Sequence, residues 1–140
     1  MRYTLLFSIS ILMMASCKKN KYNTVPSLKF KSVNTTLLKP GQTLVFTLKF
    51  TDLEGDLTDT VWVIKKEPKC IASNFTAPYH LPAFPTSKNQ EGELVISFSY
   101  PNVNPQCSGK NDTAVFKFVL RDKALHKSDT AVSSTIIISR

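Results

Sequence analysis

Beyond its first twenty residues, this chain alternates apolar and polar side chains with a period of two. Leu28 and Phe30 alternate with Lys29 and Lys31. In QTLVFTLKF, Leu44, Phe46, Leu48 and Phe50 share one face, and Val45, Thr47 and Lys49 share the other. ELVISFSY sets Leu94, Ile96, Phe98 and Tyr100 opposite Val95, Ser97 and Ser99. AVFKFVLR repeats the pattern with Ala114, Phe116, Phe118 and Leu120. Successive side chains of a strand point to opposite faces, so this alternation predicts half-buried antiparallel strands. No segment sustains a helical period. TVWVIKK and the end of TAVSSTIIIS are apolar on both faces, as central strands are, and Trp62 is assigned to the core.

Turn signals separate the runs: Lys39-Pro40-Gly41, Leu53-Glu54-Gly55, and the proline-rich stretches 78–85 and 101–105. The predicted strands are 27–33, 42–51, 58–66, a short one within 75–88, 93–100, 113–122 and 130–139. About seven short strands in roughly 100 residues predict an all-β fold, a single immunoglobulin-like antiparallel β-sandwich. The domain is expected to run over residues 26–140. In such a sandwich the loop after the second strand and the loop before the last share one end. Asp52, Glu54 and Asp56 fall in the first of these loops, Asp122 and Asp129 in the second. The five acids are therefore expected at one pole, with Cys70 and Cys107 at the other.

The N-terminus, MRYTLLFSISILMMASCKKN, has a basic start, an apolar run from Leu5 to Ala15 and a small-residue pair before Cys17. That is the layout of a secretory signal, and the run is shorter than the ~20 residues a membrane span needs. Met14-Ala15-Ser16-Cys17 resembles a bacterial lipoprotein box. The resemblance implies a signal peptide over 1–16, cleavage before Cys17 and lipid on Cys17, followed by a basic tether over 17–25. Lys18, Lys19 and Lys21 would sit beside anionic head groups, worth about 1 kcal/mol each near such a surface. The expected location is the cell envelope, lipid-anchored to the outer membrane. Surface-exposed lipoproteins of this kind carry acids just after the lipidated cysteine. Lysines follow Cys17 here, which favours a periplasm-facing chain.

With Cys17 acylated, Cys70 and Cys107 remain. An even pair in an exported chain, placed at one pole, predicts a disulfide.

KPGQTLVFTLKFTDLEGDLTD and VFKFVLRDKALHKSDTAVSSTIII together resemble small Ig-like or PKD-like lipoproteins of the Bacteroidota. In those, one strand ends in F-x-D-x-x-G-D and a late strand in D-x-x-G-N-x-S-D. Phe50, Asp52, Gly55 and Asp56 match the first motif; Asp122, Ser128 and Asp129 match the second. Leu125 and His126 stand where the second motif has Gly-Asn. The resemblance implies a fold and a compartment rather than a task.

Two readings stand for the acidic pole. Calcium takes six to eight oxygen ligands, and carboxylates at 52, 54 and 56 converge if the loop turns at Gly55, with Asp122 and Asp129 completing the shell. Alternatively the stretch is a polar turn, since Asp and Gly are favoured in turns for their own local bonds and dihedrals. A glycosidase-like carboxylate pair ranks below both, for want of sugar-binding aromatics beside the acids.

The formal charge of +8 falls to +7 without Arg2, and the lysines are scattered rather than gathered into a stripe. Nucleic acid is accordingly not an expected partner. No G-x-S-x-G occurs, and the two histidines, His80 and His126, are expected in loops at opposite ends. In NFTAPYHLPAFPT, Phe75, Tyr79, His80 and Phe84 stand among prolines that lower the entropy cost of presenting them to a partner. The alternative is that this segment covers the sandwich edge. The expected role is non-enzymatic: a binding, accessory or structural module facing an envelope protein or glycan. A calcium-stiffened adhesion module and, further behind, an envelope hydrolase are the alternatives.

Overall fold

The strongest alternating segment, Thr43–Asp52 (β3), forms the centre of a three-stranded antiparallel sheet. Ser27–Val33 (β1) lies on one side of it and Gln90–Ser99 (β6) on the other. The computed structural model describes residues 22–83 and 85–140, so Cys17, its signal and Phe84 lie outside the described residues. The second, larger sheet runs in the order β2-β9-β7-β4-β5. Its members are Leu37–Leu38 (β2), Leu57–Lys66 (β4), Phe75–His80 (β5), Asp112–Asp122 (β7) and Ile136–Ile138 (β9). Ala131–Val132 (β8) also pairs with β7. The two sheets pack face to face as an immunoglobulin-like sandwich, and single turns of 3-10 helix occupy Ile71–Ser73 and Tyr100–Asn102.

The chain enters in one sheet and crosses to the other after β1, where β2 pairs in parallel with β9. The expected last strand is broken in two. Ser133 and Ser128 sit at the irregularities, and their Oγ atoms accept the Phe116 and Leu120 amides of β7 at 2.9 and 3.0 Å. A buried hydroxyl thus supplies the acceptor that an unbroken strand would have offered.

The core gathers the inward faces of β3, β6 and β7 around Phe46, whose ring centroid lies 4.9 Å from that of Phe116 and 5.1 Å from that of Phe118. Phe75 and Tyr79 close one side of it, 6.2 and 5.9 Å from Phe98. A disulfide joins Cys70, which follows β4, to Cys107, which precedes β7. No described helix is long and apolar enough to cross a membrane.

Three aromatic positions depart from their expected roles. Trp62 is 36% exposed and outward-facing, while Phe75 and Tyr79 are half-buried against the core. Their strands β4 and β5 pair with Trp62 opposite Pro78. In β4 the inward parity belongs to Val61, Val63 and Lys65, so the even positions face out. A period of two cannot choose between faces that are both apolar.

Candidate functional site

Three places in the fold bring chemistry-bearing side chains together. The first is the loop between β3 and β4. Asp52 ends β3 fully buried, and its Oδ2 accepts the Gly55 amide at 2.6 Å and the Asp56 amide at 3.2 Å. Gly55 turns the loop at φ 66°, in the left-handed region, and a Cβ there would sit 1.8 Å from the Ser87 carbonyl oxygen. The segment preceding β6 therefore packs directly on the acidic loop, and the Asn89 amide donates to the Leu53 carbonyl at 2.8 Å. Carboxylate oxygens of Asp52, Glu54 and Asp56 all lie within 4.8 Å of one another. Burial pushes the Asp52 carboxyl above the usual carboxylate range; the Gly55 and Asp56 amides oppose this, and the Asp56 and Glu54 charges add to it.

Asp122 and Asp129 do not join that group. The two loops do touch, the Lys123 amide donating to the Asp56 carbonyl at 2.9 Å. The Asp122 carboxylate, however, turns into its own loop, taking the His126 amide at 2.7 Å on one oxygen and His126 Nδ1 at 2.7 Å on the other. Asp129 is exposed. Leu125 adopts φ 69° at the position where the related motif has glycine, so the tight turn survives the substitution with a strained leucine. The histidines are not at opposite ends either: β5 runs antiparallel to β4, with His80 opposite Thr60, which returns His80 to the pole of His126. No described metal-ligand cluster includes either one.

The second place is the disulfide pole. Lys65 is buried, and its ammonium donates to Ser73 Oγ at 2.9 Å, the Val103 carbonyl at 2.8 Å and Asp112 Oδ2 at 2.5 Å. Ser73 in turn donates to Asp112. A serine beside a lysine can be a nucleophile and its base, but only if the lysine is a free amine. Here all three ammonium protons are engaged and the charge is balanced by Asp112, so Lys65 cannot accept the Ser73 proton. Next to it, Glu67 accepts the Lys69 amide at 2.8 Å and the Thr113 amide. Nothing in the sequence marks this network, because Lys, Glu and Asp read there as surface residues.

The third place is the outer face of the larger sheet. Trp62 lies opposite Val119 on one side and Pro78 on the other; Ile64 lies opposite Lys117 and Thr76. A groove of about 330 Å³ is lined by Trp62, Ile64, Thr76, Val119, Arg121 and Lys127. Lys66 and Val115 extend the face past it, and Val132 joins it beside Lys117 at 46% exposure. The outward residues of β4, β5 and β7 named here include no carboxylate, and Arg121 Nε is buried without a partner. The smaller sheet differs: its outer face carries Glu91 and Glu93 among its lysines, with Glu93 paired to Lys31. Phe75 and Tyr79, one of whose expected roles is a partner surface, lie in β5 of the larger sheet and point into the core behind its outer face; His80 is exposed at the end of that strand.

No family profile matches the chain, and no curated protein matches it. Among solved structures it is similar to the sporulation control protein Spo0M of Bacillus subtilis, at 8% identity and a TM-score of 0.51, over 83% of this chain and 50% of that one. It is also similar to the alkylpurine DNA glycosylase AlkC of Pseudomonas fluorescens, at 8% identity and a TM-score of 0.54, over 84% of this chain and 31% of that one. The PKD domain of an M14-like peptidase from a Thermoplasmatales archaeon matches at 16% identity and a TM-score of 0.44, over 83% and 94%. The chain thus spans half or less of the length of the first two, and the likeness is one of fold.

Proposed function

We propose that this chain is a non-enzymatic binding or accessory module of the cell envelope. Lipid on Cys17 would hold it to the outer membrane, facing the periplasm, in the manner of the small Bacteroidota lipoproteins whose motifs it resembles. Its partner contact is the outer face of the larger sheet. The observation that carries this reading is the acid-free, cation-rimmed apolar groove around Trp62. Exposed apolar patches with a polar rim mark interaction sites, and aromatic and arginine side chains dominate their energetics. Cations without local counter-charges favour an acidic partner, chiefly through the rate of encounter. The groove lining contains no Asn, Gln, Asp or Glu to bond sugar hydroxyls, which favours an acidic protein segment with an apolar tip over a glycan.

The test is association in intact envelopes. Trp62→Ser and the pair Lys117→Glu/Arg121→Glu are expected to abolish co-isolation of an acidic envelope protein while leaving the melting temperature within a few degrees, since these side chains face outward. Retained co-isolation in both variants would contradict the reading. Intact-mass measurement is expected to show a triacylated N-terminal cysteine at position 17.

A second reading is favoured by the convergence of Asp52, Glu54 and Asp56 within 4.8 Å: the module is stiffened at that pole by calcium.

A further inference from the structure

The acidic loop holds more than a trio of carboxylates. Asp52 Oδ1 is fully buried and makes no hydrogen bond, although its other oxygen takes two amides. Directly opposite Asp52 in the β3–β6 ladder stands Gln90, and its Oε1 is also buried and without a partner. Both residues lie on the inward parity of their strands, at the same end of the smaller sheet. Buried acceptors are almost always satisfied, and leaving one bare costs on the order of 1–3 kcal/mol, more for a charged group. Two bare oxygens on facing residues, one of them in a group of three carboxylates, are an oxygen-rich seat for a cation. No lysine or arginine is paired to Asp52, Glu54 or Asp56 among the described ion pairs.

We propose that a hard divalent cation of the calcium class binds here, held by Asp52 Oδ1, Glu54, Asp56 and Gln90 Oε1. The inference rests on the calcium reading above and specifies it: the ligands come from the last residue of β3, the loop after it and the first residue of β6, and neither Asp122 nor Asp129 takes part. Two oxygens on one calcium ion at about 2.4 Å are at most about 4.8 Å apart, so the three carboxylates are close enough together to reach one ion. Carbonyls and water complete the six to eight positions calcium takes. The consequence is mechanical. The ion ties the end of β3 to the start of β6, where Gly55 already meets Ser87 and Leu53 already accepts the Asn89 amide.

Calcium chloride titrated into the full chain by calorimetry, with parallel thermal melts, tests this. Saturable one-to-one binding in the range of about 0.1–1 mM is expected, the range of extracytoplasmic calcium modules, together with a rise in melting temperature. Asp52→Asn is expected to abolish the binding and to melt higher than the parent without calcium, because it removes an uncompensated buried charge. Glu54→Gln changes an exposed side chain, keeps the fold, and is expected to weaken binding several-fold; Asp129→Asn is expected to leave it unchanged. No saturable binding up to about 10 mM, or undiminished binding in Asp52→Asn and Glu54→Gln, would overturn the proposal. If calcium binds and stabilises the chain as described but changes nothing in partner contact, the site stands and the adhesion reading falls.

Discussion

The Lys65 ammonium lies 2.5 Å from the Asp112 carboxylate, with both side chains within 2% of complete burial. The pair joins β4 to the start of β7 beside the disulfide. Removing one partner leaves the other charge buried and uncompensated. Asp112→Ala is therefore expected to destabilise the domain by about 3–5 kcal/mol, measured by urea unfolding. The double change Lys65→Met/Asp112→Leu removes both charges and is expected to cost less than Asp112→Ala alone.

Leu125 occupies a left-handed turn at φ 69° with its side chain 71% exposed, so it gains nothing from burial that would offset the strain. A left-handed conformation costs a residue with a Cβ roughly 1–2 kcal/mol, and glycine pays part of this back as chain entropy. Leu125→Gly is expected to stabilise the domain by about 0.5–1 kcal/mol, seen as a higher urea midpoint with an unchanged slope.

Gly55 stands in the reverse situation. It combines φ 66° with a Cβ position 1.8 Å from the Ser87 carbonyl oxygen. Gly55→Ala is expected to cost more than about 2 kcal/mol and to raise hydrogen exchange at the Asn89 amide, which bonds the same loop.

The Cys70–Cys107 bridge spans 37 residues. In the chain-entropy account a loop of that size contributes about 4 kcal/mol. The Cys70→Ala/Cys107→Ala chain is expected to unfold at a correspondingly lower urea concentration, and the parent is expected to match it under reducing conditions.

What the sequence disclosed, and what it hid, follows from how many faces of a strand meet water. β3 and β6 alternate cleanly because one face is wet, so their faces were legible in the sequence, and so was the shared pole of Cys70 and Cys107. In β4 both parities are apolar, and the pattern could not decide that Lys65 points in and Trp62 points out. The aromatic residues of β5 stand among prolines, a pattern that fits either a presented loop or a segment covering the sandwich edge; pairing with β4 turns Phe75 and Tyr79 inward, as the covering reading has it. The acidic pole was half legible. Asp52, Glu54 and Asp56 converge through one local turn, whereas the fate of Asp122 depends on a leucine accepting a glycine's conformation and on His126 reaching back to it. Gln90 gave no signal, since its part depends on strand register rather than on any local pattern.

A contact surface on the outer face of the larger sheet must be reached from that face and from no other. A photo-crosslinking residue placed singly at positions 62, 76, 119, 95 and 97, in cells bearing the otherwise intact chain, addresses it most directly. Positions 62, 76 and 119 lie on that face, and 95 and 97 lie on the outer face of β6. Adducts to one acidic envelope protein from the first three positions and none from the last two are predicted. Adducts from 95 and 97 without any from 62, 76 and 119 would place the contact on the smaller sheet instead.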